Sequence, residues 1–263
     1  MTSRELHRVQ QTRHAFSNWP GMLAAIAAGR ALQRPAELRF EARSGPRMLC
    51  PNQPGARVPI YEVFAEDCYR TAAFLADAPV SRALDIGAHV GAFAVQLAAL
   101  KPGVRIDCFE PSERTASYLR RNVELNGLGA RIVVHQFAVA GHSGVLPFSD
   151  NGMSSCQNHV ITEPTDAEAA VTMVTARAFD DLVSERGPYE LIKIDCEGGE
   201  YDLVLSSAAE SWASTTHVVA EYHPSAEHSF ADLETHLARA GLRVVDREDS
   251  PIDRQGTAWF RRA

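Results

Sequence analysis

The sequence predicts an α/β protein built on an open, mostly parallel sheet, and three observations carry that prediction. From residue 83 onward, short apolar runs at 83–86, 105–109, 131–136, 191–194 and 218–221 alternate with helix-length stretches. That texture belongs to parallel strands buried on both faces. Glycine-containing turns follow the first and fourth runs, at the strand ends where open α/β sheets gather ligands. Two final runs, 242–245 and 258–261 around Ser250-Pro251, read as an antiparallel hairpin. They bring the sheet to seven strands, the last of them antiparallel.

Taken in order, the chain opens with two predicted helices, 4–16 and 19–32. The second is the stronger, with Pro20 in its first turn and many alanines. Runs 38–42 and 47–50, split by Ser44-Gly45-Pro46, predict a hairpin, and 51–59 reads as a Pro/Gly-rich connection. Residues 1–59 are therefore expected to form an N-terminal helical cap and hairpin, with the main domain over 60–263. Between the strands fall helices at 91–100, 113–126 with Gly127 as its stop, 199–206, and 230–240 with Gly241 as its stop. The stretch 139–189 is too long for a plain strand–helix connection and is expected to be an inserted lid with two strands, 144–148 and 170–175. Within it, 151–159 carries Ser154, Ser155 and Asn158, candidates for a substrate-facing edge.

With 263 residues, 45% of them hydrophobic and 22% charged, the chain can bury a substantial core. A net charge of −7 argues against general nucleic-acid binding, which needs a phosphate-neutralising surface; Arg120-Arg121 reads as an exposed helix face. The five cysteines are scattered, without zinc spacing, and read as buried thiols. Charged residues near the N-terminus (Arg4, Glu5, Arg8, Arg13) speak against a secretory signal, and no apolar run approaches membrane-spanning length. A cytoplasmic protein off the membrane is expected, with the N-terminal segment as the candidate dimer contact.

The first glycine turn is Asp85-Ile86-Gly87-Ala88-His89-Val90-Gly91. Gly87 permits a left-handed backbone and close approach of a ligand, Gly91 permits close helix–strand contact, and the following helix offers free N–H groups. Asp85 precedes the glycines, where it would repel a pyrophosphate but can face a sulfonium and an α-ammonium. The spacing is Gly-x-x-x-Gly, with His89 where a dinucleotide motif needs its second glycine. These features favour S-adenosylmethionine over a nicotinamide cofactor. Glu110, in Phe109-Glu110-Pro111, lies 25 positions beyond Asp85 (110 − 85) at the next strand end, where an acid can accept hydrogen bonds from both ribose hydroxyls. Gln136, Phe137 and Ala138, after the third strand, are candidates for adenine contacts.

The densest chemistry is Lys193-Ile194-Asp195-Cys196-Glu197-Gly198-Gly199-Glu200, followed one strand later by Glu221-Tyr222-His223-Pro224. Adjacent strands would bring Asp195, Glu197, Glu221 and His223 to one cleft. Methyl transfer to a hydroxyl needs alignment and a proton acceptor, which a carboxylate or His223 can supply. Asp195 is also a candidate for cofactor contact. Glu200 reads as a helix cap or surface charge. A divalent cation on Asp195, Glu221 and His223 is the alternative, ranked below a metal-free site.

Together these four motifs resemble the FkbM family of methyltransferases, with Glu62-Val63-Phe64 and Tyr69 similar to the family's lead-in to the first strand. The resemblance runs from about residue 60 to the C-terminus. It implies a class I, Rossmann-like methyltransferase fold, S-adenosylmethionine as cofactor, and O-methylation of a small hydroxylated specialised metabolite such as a polyketide or sugar. His89 stands where the family usually has Asn. Other acceptors (RNA, protein) and a non-catalytic cofactor-binding partner are the alternatives. The fourth strand lacks the Asn/Asp-Pro-Pro-aromatic segment of base N-methylation, and the retained acids favour catalysis.

Overall fold

Among the described residues, two antiparallel strands and four α-helices precede the first strand of the main sheet, and residues from them share its core. The computed structural model describes residues 3–32, 37–150, 158–161, 171–250 and 255–263. The expected helices and hairpin are present as α1 (Ser3–Ala15), α2 (Trp19–Leu32), β1 (Glu37–Glu41) and β2 (Arg47–Pro51). The expected connection over 51–59 is instead largely helical, as α3 (Pro54–Tyr61). Pro54 sits in its first turn, where a missing N–H leaves no bond unmade, and Ile60 and Tyr61 are buried. A single π-turn (Glu62–Glu66) and the short α4 (Thr71–Phe74) lead onward. The rings of Phe16, Phe40 and Tyr61 meet edge-on at centroid distances of 5.1–6.0 Å. Phe16, Phe40, Met48 and Ile60 belong to one hydrophobic cluster with Ala83, Phe93 and Leu119 of the main domain.

The main domain continues with β3 (Arg82–Ile86), α5 (Ala92–Leu100), β4 (Arg105–Phe109), α6 (Glu113–Leu125), β5 (Ile132–His135), β6 (Ala138–Ala140), β7 (Gly144–Ser149), β8 (His159–Val160), β9 (Val171–Ala178), α7 (Phe179–Arg186), β10 (Leu191–Ile194), α8 (Glu200–Ser206), β11 (His217–Tyr222), α9 (Phe230–Arg239), β12 (Leu242–Asp249) and β13 (Gly256–Arg262). Among the described residues, seven strands form the main sheet in the order β12-β13-β11-β10-β3-β4-β5. β13 runs antiparallel to both its neighbours and the other pairs are parallel, as the sequence predicts. Gly127 and Gly241, at φ 66 and 83, follow α6 and α9 as helix stops.

Alternation along the strands sorts the core onto two faces. Ala83, Ile106, Leu191, Val219 and Trp259 face the cluster that includes the N-terminal segment. Leu84, Ile192, Val218 and Phe260 face the cluster beneath α7, α8 and α9. On the first face the parallel register sets Lys193 of β10 beside Asp85 of β3. Both are buried, so two charges occupy positions that an apolar pair would otherwise fill.

Over 139–189 the two expected strands form as β7 and β9, and with β6 and β8 they make a second sheet in the order β6-β9-β7-β8. Phe148, Val174 and Ala176 bury one face of it, against Leu146 and Val160. Val145, Val171 and Met173 stay exposed. Ser154 and Ser155 lie outside the described residues. Asn158 is described, and its amide donates to Asp150 Oδ1 at 3.1 Å. Among the described residues no helix is long and apolar enough to cross a membrane.

Candidate active site

A cavity of about 490 Å³ opens at the carboxyl ends of β3, β4, β10 and β11. Val58, Pro59 and Glu62 of α3 and the π-turn close one side, and Ala138, Leu146, Phe148 and Val160 of the second sheet close another. The floor is Gly87, His89 and Glu110; the remaining wall is Asp195, Glu197, Glu221 and His223. An apolar side thus faces an acidic one.

Backbone crowding dictates the floor. Gly87 adopts φ +70, and a Cβ there would lie 1.7 Å from the Asp195 carbonyl oxygen. Gly91, at φ +86, leaves room for Leu119, whose Cδ1 would otherwise be 2.2 Å from a side chain. His89 takes φ 49, a left-handed conformation in which Asn, Asp and His are the enriched non-glycine residues. That requirement accounts for a His in place of Asn. Burial pulls the His89 imidazole down to about 4, so it is neutral at physiological pH. Its backbone N–H donates to Glu110 Oε2 at 3.0 Å, and the Ser112 N–H donates to Oε1 at 2.9 Å. Burial lifts Glu110 to about 7 despite these donors.

The acidic wall is organised around two cations. Lys193 Nζ donates to the carbonyl oxygens of Gly87 (2.7 Å) and Ile86 (3.3 Å), and lies 3.2 Å from Asp195 Oδ2 and 3.4 Å from Asp85 Oδ1. Tyr69 Oη also donates to Asp195 Oδ2, at 2.9 Å. Burial alone would raise Asp195, but Lys193, His223 and the Tyr69 hydroxyl hold it below the usual carboxylate value. His223 Nδ1 is 3.1 Å from Glu200 Oε1, while Nε2 lies 3.3 Å from Glu197 and 3.8 Å from Glu221. Burial opposes the imidazolium, yet the bond to Glu200 and the surrounding carboxylates raise His223 to about 10. Burial and the charge of Asp195 push Glu197 to about 8 and Glu221 to about 9. Glu62, half-buried near Asp195, rises to about 7.

The four candidates Asp195, Glu197, Glu221 and His223 therefore meet in one place, and Gly87, His89, Glu110, Pro111 and Ala138 line the same space. Other expectations need correction. Asp85 does not face the cavity: it is fully buried behind the turn, where strand alternation and register pair it with Lys193. Ala88 and Gly91 shape the turn from outside the lining, Ala88 N–H donating to the Phe109 carbonyl at 3.0 Å. Of the Gln136–Ala138 trio only Ala138 reaches the cavity. Gln136 accepts from Arg120 at 3.1 Å, and Phe137, partly buried, packs against the core 5.0 Å from Phe109. Glu200 is no surface charge: it is fully buried and accepts from the N–H groups of Cys196 and Gly198 as well as holding His223. His223, expected as a neutral-pH base from its unperturbed pKa, is instead surrounded by acids that keep it charged. Among the described residues, three donor atoms within 4.8 Å of one another belong to Asp195, Glu197 and His223, so Glu197 replaces Glu221 in the cation alternative.

Sequence reading missed the roles of Lys193, Glu200, Glu62 and Tyr69. A lysine inside the apolar run Leu191–Ile194 is the one signal that a buried acid must stand beside it.

A family model described as the methyltransferase FkbM domain matches residues 85–244. Methyltransferase 1 of Beauveria bassiana is 28% identical over 208 residues, covering 72% of this chain and 82% of that protein. The 2-O-methyltransferase NoeI of Sinorhizobium fredii is 27% identical over 192 residues, covering 67% and 74%. Among solved structures, PH0793 of Pyrococcus horikoshii shares the fold with a TM-score of 0.50 at 9% identity, over 87% of this chain and 72% of that one.

Proposed function

The chain belongs to the FkbM family of S-adenosylmethionine-dependent methyltransferases, and from that premise we propose that it O-methylates a hydroxyl of a small specialised metabolite. The residues fit the donor. Gly87 lets the turn pass close against the Asp195 backbone while lining the cavity, Glu110 keeps acceptor capacity there for ribose hydroxyls, and the acidic wall suits a positively charged tail. When bound, the donor supplies an electrophilic methyl group on a sulfonium.

The observation that carries the oxygen reading is the pair Glu197 and Glu221 flanking His223 Nε2 at the cavity wall. A hydroxyl must lose its proton as its oxygen bonds to carbon. A carboxylate raised to about 8 or 9, once ionised beside a bound cation, accepts that proton better than an exposed glutamate does. His223, fixed by Glu200, presents Nε2–H to the same space and orients both carboxylates and the acceptor oxygen. NoeI, a 2-O-methyltransferase, is consistent with oxygen as the acceptor. This scheme uses no metal.

Purified protein supplied with S-adenosylmethionine and a panel of sugars and polyketide alcohols is expected to yield a methyl ether, detected by mass spectrometry and unaffected by EDTA. Glu221→Gln is expected to lower kcat by about 10²-fold with S-adenosylhomocysteine affinity unchanged. Methyl transfer found on nitrogen or carbon instead overturns the oxygen reading.

A further inference from the structure

Lys193 is a cation in a place that no ligand reaches. Its side chain is 3% exposed, its Nζ sits behind the cavity wall, and it does not line the cavity. Of its partners, Asp85 is equally hidden, and the Gly87 and Ile86 carbonyls belong to the glycine turn. Asp195 is the partner whose carboxylate also meets the cavity, 20% exposed. Lys193 thus divides its charge between a buried acid and a wall acid. Removing an isolated buried charge from water is expensive, so the lysine stays ionised only because both acids are there. In return it sets how much of Asp195's negative charge a bound molecule feels.

That charge matters for one comparison above others. The methyl donor and its demethylated product share adenine, ribose, ammonium and carboxylate; they differ in a sulfonium against a neutral thioether. A wall carrying an ionised Asp195 favours the sulfonium. Unchecked, it would hold donor far more tightly than product. We propose that Lys193 is a specificity-determining residue that moderates this preference, neutralising Asp195 from behind the wall so that donor and product bind with comparable strength. The proposal rests on the cavity being the methyl-donor site.

The test is a pair of titrations by calorimetry on the full chain near neutral pH, with S-adenosylmethionine and S-adenosylhomocysteine as the probes. The readout is the ratio of their dissociation constants, product over donor. Lys193→Met is expected to raise the ratio on the order of tenfold, the size of one screened unit charge near the site. Lys193→Arg keeps the charge and is expected to leave the ratio unchanged even where both affinities fall. Because Lys193→Met strands two buried acids and can unfold the chain, the double variant Asp85→Asn with Lys193→Met removes the deeper charge as well. It is expected to shift the ratio in the same direction by a smaller factor. A merely structural lysine would weaken both ligands equally. An unchanged ratio in the lysine-free variants, or a shift in Lys193→Arg equal to that in Lys193→Met, overturns the proposal. Failure of the unmodified protein to bind either probe overturns the donor-site reading and the proposal with it.

Discussion

At Gly87 the backbones after β3 and β10 pass so close that a side chain does not fit. A methyl group at that position meets the Asp195 carbonyl at 1.7 Å, and φ +70 is disfavoured for any side chain. Gly87→Ala is expected to destabilise the protein by about 2 kcal/mol or more, read from urea unfolding, and to abolish S-adenosylhomocysteine binding; retained binding would contradict this account of the turn. This residue, Glu110 and the Asp195–Glu200 block were legible in the sequence, because each is announced by its place at a strand end. Lys193 and Glu200 were not. Their roles depend on partners 108 and 23 positions away (193 − 85, 223 − 200), chosen by strand register and by the return of the chain after β11. Asp85 lies beside Lys193, away from the cavity lining, for the same reason: a strand-end acid faces the cavity or its neighbour according to parity, and on β3 it faces the neighbour's lysine.

Helix α6 joins three elements through one side chain. Asn122 is fully buried; its Oδ1 accepts from the Leu49 N–H at 2.7 Å, and its Nδ2 donates to the carbonyls of Leu49 (3.0 Å) and Val90 (2.8 Å). The edge of β2, the helix and the end of the glycine turn are thereby held in one geometry. Asn122→Ala leaves three backbone groups without that partner and is expected to cost about 2–3 kcal/mol in chemical denaturation. An effect below 0.5 kcal/mol, about the surface-mutation range, would show that water takes the amide's place. At this scale the strands of the main sheet and its larger helices followed from apolar periodicity. Helix α3 did not, because Pro54 and Gly55 counted as breakers while the proline in fact occupies the first turn, where it is tolerated. The second sheet was half visible: β7 and β9 carry alternating patterns, whereas β6 and β8 have three residues and two, too few for periodicity to register.

The whole molecule concentrates unusual proton affinities in one cleft, and its stability must follow pH accordingly. Glu62 and Glu110 rise to about 7, Glu197 to about 8, Glu221 to about 9 and His223 to about 10. A group whose folded pKa is raised contributes stability that is complete below its unfolded pKa and vanishes as pH climbs through the folded value. His89, lowered to about 4, acts oppositely, but only between about 4 and its unfolded value of 6.5. The ligand-free protein is therefore expected to lose thermal stability steadily from pH 6.5 to about pH 9, with a shallower decline in Glu221→Gln. A midpoint that is flat or rising over that range would contradict the buried-acid description. The fold class was readable from alternation and turn placement alone, while the joining of residues 3–61 to the main core was not, since a shared core is a property of contacts that no local pattern encodes. The second sheet has its own consequence. It enters after β5 and leaves into α7, so one side of the cavity is built by a stretch of chain separate from those carrying Asp195, Glu197, Glu221 and His223. Exchanging residues 138–178 between relatives would redraw one side of the cavity while Asp195, Glu197, Glu221 and His223 stayed where they are, making a change in the shape of the bound molecule a matter of grafting a wall.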